Sequence, residues 1–316
     1  MHRATGQRSF AEMMVVGGGN ARLARIAAVL DWRPLEALLS TVYASPTGRP
    51  AFPPLSMFKV LLLQQWYGIG DPEMEETLGD RLSFRQFVGI GLGDRVPDHS
   101  TISRFRAELV RQDLGSKLFA AVAEQLGQRG YVLKVGTLID ATLIAAAAAE
   151  PPKQKGGGSS AADPDAKWTK RPNGMAHFGY KLHVGVDQGS MIVRAARLTS
   201  ANVNEVVIGH ELVQGDERAV WADKGYVGPT LRERLAQSGI KDRVQRKASR
   251  VRKLTCWETR RNVLIARVRG RIEGVFGTLK RSYGLARMRY MGLARNTLAV
   301  LVTLTAWNLA RVSDTA

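Results

Sequence analysis

The chain has 316 residues, 45% of them apolar, so it can bury cores of ordinary size and is not expected to be disordered throughout. Its formal charge of +18, from 46 basic and 28 acidic side chains, favours a polyanionic partner, although a ribosome-associated or merely soluble basic protein would also carry such a charge. The single cysteine, Cys256, excludes an intrachain disulfide framework and a cysteine-rich zinc site.

The first 130 residues have the pattern of a helical domain. Residues 1–20 end in a glycine-rich stretch and predict a loose arm, and residues 21–45 predict two helices. Ser56 predicts the cap of the next helix, and Asp71 followed by proline predicts the start of another.

Residues 96–110 resemble a helix-turn-helix segment. In a helix capped by Ser100, the apolar side chains of Ile102, Phe105 and Leu109 would face inward. Arg104 and Arg106 would face outward. The outward arginines predict a DNA contact, but a packed helical domain whose arginines stay hydrated explains the same pattern.

Beyond residue 130 the pattern becomes extended. Residues 132–139 predict an apolar strand ending at Asp140, and residues 191–198 a later strand that a turn at 187–189 joins to the preceding strand as a hairpin. Between them, residues 177–187 alternate and predict a half-buried strand with His177, Lys181 and His183 on its polar face. The spacing of the two histidines fits no metal motif, so they are interpreted as DNA-facing or as satisfied polar residues.

The rest of the chain alternates between helix and strand. Residues 204–213 and 229–237 predict helices, 219–222 a short buried strand ending at Asp223, and 258–283 one long helix. Residues 293–312 predict a final apolar helix. The Gly-, Ser-, Pro- and Lys-rich residues 151–173 predict a mobile loop over the site, in which Trp168 either stacks on an unpaired base or anchors the loop.

Two further features bear on location and partner. No signal pattern is recognised at the N-terminus, and the apolar run 298–307 is too short to span a bilayer, so we expect a cytoplasmic protein without membrane contact, associated with the nucleoid if bacterial. Residues 241–295 contain 17 basic side chains against three acids, a net +14 that predicts a nucleic-acid-binding region.

Three carboxylates stand out against this background: Asp140, Asp223 and Glu273. Two acids at strand ends and a third on a later basic helix can converge and bind hard divalent cations such as Mg²⁺. Each also has an ordinary explanation, since Asp140 could cap a helix, Asp223 could form a turn, and Glu273 could make a surface ion pair with Arg269. Those explanations do not account for the order of the three acids along the chain, with two at strand ends followed by one on a helix.

The chain resembles the insertion-sequence-five group of bacterial DDE transposases over nearly its whole length. The resemblance rests on eight blocks in order: Phe52-Pro-Pro-Leu-Ser-Met-Phe-Lys59, Ser83-Phe-Arg-Gln-Phe87, Pro97-Asp-His-Ser-Thr101, Leu138-Ile-Asp-Ala-Thr142, His177-Phe-Gly-Tyr-Lys-Leu-His183, Ala222-Asp-Lys-Gly-Tyr226, Arg271-Ile-Glu-Gly-Val-Phe-Gly-Thr-Leu-Lys-Arg281 and Arg289-Tyr-Met-Gly-Leu293.

The resemblance implies an α/β fold, in which an RNase H-like mixed-sheet catalytic domain (residues 131–316) follows the helical domain (residues 1–130), and a catalytic DDE triad of Asp140, Asp223 and Glu273. The group also carries a Tyr-Arg-Glu-Lys signature, which Arg269, Glu273 and Lys280 match. The tyrosine position falls on Ala266, so whatever that tyrosine does is lost here.

The implied activity is cleavage at the ends of an insertion sequence and joining of the freed 3′-hydroxyl to target DNA. Two Mg²⁺ ions roughly 3.5–4 Å apart, for which Mn²⁺ can substitute, would assist both steps. The implied partners are double-stranded DNA, as terminal inverted repeats and target, and a second copy in a homodimer. The expected DNA-binding residues are Lys280, Arg269, Arg271, Arg281, Lys224, Arg104, Arg106, Lys181 and His177.

Two rival functions stay open on the sequence alone. An inactive or domesticated relative would bind the ends as a repressor, indifferent to metal. A structure-specific nuclease of the same fold would cut DNA and never join it.

Overall fold

The structure is a computed structural model that describes residues 20–43, 51–152, 160–170, 174–249 and 251–314. The chain divides into two compact units, residues 1–128 with 301–316, and residues 129–300. The predicted arm, residues 1–20, falls outside the described residues except for Asn20. Within the described ranges, no helix combines the length and hydrophobicity that crossing a bilayer requires.

The first unit is helical. Its helices are α1 (Ala21–Val29), α2 (Arg33–Leu39), α3 (Pro54–Tyr67), α4 (Asp71–Asp80), α5 (Leu82–Val88), α6 (His99–Arg111), α7 (Leu114–Gln128) and the later part of α12 (Leu293–Ser313). The two helices predicted within residues 21–45 are confirmed as α1 and α2, and the helix start at Asp71 is confirmed as α4. Helix α3 is buried on most of its circumference and forms the centre of this unit's core.

Both predicted serine caps in this unit are wrong. Helix α3 begins at Pro54, two residues before Ser56, because a proline at the first helical position supplies the right φ and lacks only a hydrogen bond donor that would be unpaired there. Helix α6 is capped by Asp98, whose carboxylate accepts a hydrogen bond from the amide of Thr101 at 2.7 Å.

The apolar face of α6 is as predicted, but one of its two arginines does not point outward. Ile102, Phe105 and Leu109 are fully buried. Arg104 is exposed, whereas Arg106 donates to Asp71 at 2.7 Å and its side chain is only 13% exposed. Arg106 therefore joins α6 to α4, and the expected outward orientation of its side chain is wrong.

The second unit contains a six-stranded mixed sheet, as predicted for an α/β domain. The strands are β1 (Thr137–Ala145), β2 (Lys167–Lys170), β3 (Ala176–Asp187), β4 (Val193–Ser200), β5 (Ala219–Ala222) and β6 (Lys241–Val244). The order β4–β3–β1–β5–β6 combines an antiparallel half, β4–β3–β1, with a parallel half, β1–β5–β6, and β2 pairs with the first residues of β3. The predicted hairpin of β3 and β4 is confirmed.

Strand β1 does not end where the sequence predicts. It continues past Asp140 to Ala145 because β3 keeps pairing with it as far as Gly179. Strand β5, on the other side, pairs only with residues 137–139, so Asp140 is the first residue beyond the parallel pairing. Since a strand follows Asp140, the alternative that it caps a helix is excluded.

Strand β3 is buried on both faces, so the prediction of one polar, exposed face is wrong. His177, Lys181 and His183 are all buried, with His183 fully so. The polar face is covered by residues later in the chain, because Lys181 pairs with Glu205 and His183 lies against Tyr226.

Helices and helical turns flank the sheet: α8 (Glu205–Ile208), 3₁₀ turns at Gly209–Leu212 and Lys224–Tyr226, α9 (Pro229–Gln237), α10 (Cys256–Arg269), α11 (Ile272–Ser282) and the first residues of α12. The single helix predicted for 258–283 is wrong, because α10 and α11 are separated at residues 270–271. There the amide of Glu273 donates to the carbonyl of Gly270 at 3.1 Å, which is a tighter i→i−3 hydrogen bond than that of an α-helix. Gly270 itself has poor helix propensity.

Part of the predicted mobile loop is packed. Residues 153–159 and 171–173 lie outside the described residues, but Asp163 is fully buried and accepts from the Tyr180 hydroxyl at 2.5 Å and the Gly292 amide at 3.1 Å. Trp168 packs on Phe178 with ring centroids 5.3 Å apart, which supports the anchoring alternative.

Candidate active site

Strand register places two of the three carboxylates side by side. Ile139 pairs with Ala222 across the parallel strands β1 and β5, so Asp140 and Asp223 follow at the same level and extend from the same face of the sheet. Asp223 also accepts a hydrogen bond from the amide of Gly225 and caps the turn that follows. The alternative prediction that Asp223 forms a turn is therefore confirmed as well.

The helices that follow β6 cover this face. Helix α10 packs on β5 and β1, and α11 packs on β1. Glu273 lies in the first turn of α11 with its side chain exposed, and its carboxylate contributes to raising the pKa of Asp140. The break between the two helices thus puts Glu273 at a helix start, close enough for its charge to act on Asp140.

Asp140 has an unusual electrostatic environment. Its side chain is 18% exposed and pairs with Arg269, the last residue of α10, while its other carboxylate oxygen accepts from the Ala141 amide at 2.9 Å. Burial raises the pKa of Asp140 to about 6; Arg269 opposes the rise, and the negative charges of Asp223 and Glu273 add to it. The negative charges of Asp223 and Glu273 therefore both act on Asp140, and Arg269 supplies the opposing positive charge.

The donor set fits a hard divalent cation, although it is not preassembled. Among the described residues, no three His, Cys, Asp or Glu side chains stand close enough together to hold a metal ion as they are. Two neighbouring carboxylates with a third on the covering helix nevertheless supply the oxygen ligands that such ions prefer. In this structure the guanidinium of Arg269 provides the positive charge beside Asp140.

Two family models match the chain, a "Transposase domain (DUF772)" over residues 15–108 and a "Transposase DDE domain" over residues 133–309, which is more than half of the sequence. The chain belongs to the DDE transposase family. One solved structure, a cryo-EM piggyBac transposase synaptic complex with hairpin DNA, is similar at 10% identity with a TM-score of 0.44, covering 94% of this chain and 73% of that one.

Membership of this family establishes the fold class of the α/β unit and the activity of the protein. The mixed sheet is that of an RNase H-like fold, as expected, and the protein is a DNA transposase, an enzyme that binds DNA and uses divalent metal to cleave and transfer its strands. The predicted bacterial DDE transposase family is confirmed.

On the other face of the sheet, the transposase has a layer of buried polar side chains, in which His183 is a satisfied polar residue whose partners the sequence did not identify. Tyr226, three residues after Asp223, is buried with its hydroxyl 3.4 Å from Nδ1 of His183. The Nε2 of His183 lies 3.2 Å from the hydroxyl of Thr199. Lys181 pairs with Glu205 at 2.7 Å. Tyr226 belongs to the block Ala222-Asp-Lys-Gly-Tyr226, on which the family resemblance rests. Its closeness in sequence to Asp223 was therefore the signal that could have identified it.

The transposase brings some of the expected DNA-binding residues near the acids and not others. Arg269 contacts Asp140 directly. Lys280 and Arg281 lie on α11, Arg271 lies directly before it, and Lys224 lies in the turn after Asp223. Arg271, Arg281 and Lys224 are exposed. Lys181 and His177 are buried in β3, and Arg106 is paired within the first unit, so none of these three presents its charge to solvent.

The buried histidine predicts a pH dependence of stability. Burial, followed by the charge of Lys181, lowers the pKa of His183 from 6.5 to about 4. The unfolded chain therefore binds the proton first, and stability contributed by neutral His183 is lost as pH falls from about 6.5 to about 4, by about 3 kcal/mol. We expect wild type to lose this much relative to His183→Gln when unfolding is measured between pH 7 and 4. A difference between the two proteins that does not change with pH would contradict the prediction.

Proposed function

We propose that this enzyme is the transposase of an insertion sequence of the insertion-sequence-five group, that it cleaves at the element's terminal inverted repeats, and that it joins the 3′-hydroxyl to target DNA. Asp140, Asp223 and Glu273 would hold two Mg²⁺ ions, which Mn²⁺ can replace. The observation that carries the proposal is the shared level of Asp140 and Asp223 on adjacent parallel strands, beneath the helix start that bears Glu273.

The chemistry supplied by such ions is activation of the attacking oxygen and stabilisation of the leaving oxygen in an in-line phosphoryl displacement. The chain's own residues position the reacting groups. The two aspartates are fixed by strand pairing, and Asp140 is further held by Arg269 and the Ala141 amide. Because water and a sugar hydroxyl can occupy the same place as nucleophile, one site serves both cleavage and joining.

Arg269 has donor capacity left for a phosphate. One of its terminal nitrogens pairs with Asp140, while its buried Nε has no hydrogen-bond partner among the described residues. A guanidinium paired with a carboxylate can bind a phosphate oxygen through a further donor, and this buried Nε would have to become accessible to do so. The exposed Arg271, Arg281 and Lys224, together with Lys280, would hold the adjoining DNA backbone.

The helical residues 1–130 would recognise the element's ends and assemble the complex, and residues 131–316 would catalyse the reaction. Helix α6 supports the first role, since it exposes Arg104 on the face opposite its buried apolar residues. Two ends must be joined in one reaction, which makes a homodimer the natural active form. We place this dimer on the bacterial nucleoid in the cytoplasm.

Excision from a plasmid tests the proposal. A donor plasmid carrying this gene between its native flanks is expected to lose the element and to yield target molecules that contain it, in a reaction dependent on Mg²⁺ or Mn²⁺. Binding to the flanks without excision would instead identify a repressor. Cleaved donor without joined product would identify a nuclease.

A further inference from the structure

A basic cavity lies beyond the carboxyl ends of β5 and β6, separate from the site of the three carboxylates. It is a cavity of about 440 Å³, within the range of ordinary ligand pockets, and its wall includes four cationic side chains and one tryptophan, namely Arg232, Arg246, Lys247, Arg252 and Trp257. None of these residues has a role in the metal site.

Hydrogen bonds to α10 fix the segment that forms one wall. The side chain of Asn262 accepts from the amide of Arg246 at 2.8 Å and donates to its carbonyl at 2.9 Å. Arg261 donates to the carbonyls of Asp242 and Val244 at 2.9 and 2.8 Å. The residues after β6 are therefore held on the helix and form a fixed wall of the cavity.

The charge of the cavity is strongly positive. Its one acid, Glu258, is engaged by Arg252 at 2.8 Å and by the amide and hydroxyl of Thr255 at 3.0 and 3.2 Å as part of a helix cap. That pairing leaves Arg232, Arg246 and Lys247 without a carboxylate among the residues lining the cavity. Such a site favours a ligand with several negative charges.

Trp257 adds a surface for stacking. Its side chain belongs to the first turn of α10 and is 68% exposed, although a large apolar side chain is normally covered. Recognition of single-stranded nucleic acid combines two elements: cationic side chains that contact the phosphate backbone, and an aromatic ring on which a base stacks. A duplex would use the cations but would keep its bases inside.

We propose that this cavity binds an unpaired nucleotide of a DNA strand, with its base on Trp257 and its phosphates on Arg232, Arg246 and Lys247. The site adjoins the catalytic edge of the sheet. Val227, which also lines the cavity, is four residues after Asp223, and the amide of Gln245 bonds to the carbonyl of Ala222 at 3.0 Å. The strand held there would therefore continue toward the carboxylates.

Fluorescence anisotropy with labelled oligo(dT), an abasic strand of the same length and a duplex tests this proposal in the full-length protein with EDTA present. Trp257→Ala is expected to weaken oligo(dT) binding roughly five- to 150-fold and to abolish the preference over the abasic strand. Trp257→Phe should retain most of the affinity. Arg246→Ala with Lys247→Ala should lower the salt dependence by about 0.7 per lost phosphate contact.

Matched controls separate the cavity from general effects. Leu264→Ala removes another exposed apolar side chain of α10, and Arg218→Ala removes a charge just before β5, at the other end of the strands. Neither should change binding more than about twofold. An unchanged oligo(dT) affinity in Trp257→Ala, or an equal loss for duplex and single strand, would overturn the proposal. The assay contains no metal, so its outcome is independent of the assignment of the three carboxylates.

Discussion

Asp140→Asn, Asp223→Asn and Glu273→Gln are each expected to slow DNA strand cleavage by roughly a thousandfold or more while leaving DNA affinity nearly unchanged. Each substitution removes a negative charge and, under the proposed function, a metal ligand, but keeps the shape of the side chain. The loss of several kcal/mol of transition-state stabilisation corresponds to a rate change of this size. DNA affinity should persist because it depends on basic side chains elsewhere on the surface.

Cleavage of a labelled duplex bearing the element's end, in Mg²⁺, measures the effect, and the same duplex in EDTA measures binding. Glu211→Gln serves as the matched control, because Glu211 is a carboxylate of the same unit that is 40% exposed and 3.5 Å from Arg197. It should cut at the wild-type rate. The thermal stabilisation given by Mn²⁺ without DNA should be reduced in the three variants alone. Any of the three that cuts as fast as wild type does not hold metal.

Local sequence patterns were sufficient for much of the architecture. The short buried strand before Asp223, the β3–β4 hairpin and the final apolar helix each follow from a run of apolar residues with clear boundaries. The positions of Asp140 and Asp223 after such runs also indicated that the two acids come together, because parallel strands end at one edge of a sheet.

The extent of β1 could not be predicted, since residues after Asp140 are small and apolar and are equally suited to a helix. The strand continues because residues 179–187 of β3 pair with it, and that partner is distant in the chain. The separation of α10 from α11 has a similar origin. A single Gly270 is tolerated in many helices, and only packing on the sheet decides that this one ends there.

The buried polar residues show a further limit. A strand with Lys181 and His183 alternating with apolar residues has the pattern of a half-exposed strand, and nothing local identifies their partners. Glu205 is 24 residues from Lys181, and Tyr226 is 43 residues from His183. Tertiary pairing of this kind allows charged side chains to be buried, so polarity alone wrongly predicted that one face of β3 is exposed.

The largest loss of stability is expected from Asp187→Ala. Asp187 is fully buried at the end of β3 and accepts from the Ser190 amide at 2.7 Å, the Ser190 hydroxyl at 2.8 Å, the Gly189 amide at 3.1 Å and the Lys134 amide at 2.9 Å. It therefore ties the hairpin turn to the segment that enters β1. Removing the buried carboxylate leaves several part-buried donors without their acceptor, and we expect the free energy of unfolding of this unit to fall by roughly 3–5 kcal/mol.

Hydrogen exchange of peptides from β1 and β3 measures this unit separately from the helical one, which a single denaturation curve would not. Ser190→Ala is the graded control, because it removes one donor and leaves the carboxylate in place, at a cost of about 1 kcal/mol. Asp187→Asn should lie between the two, since its amide oxygen still accepts while its NH₂ group faces other donors. If Asp187→Ala exchanged no faster than Ser190→Ala, the turn would be held by its backbone conformation, and the carboxylate would not be what joins the hairpin to β1.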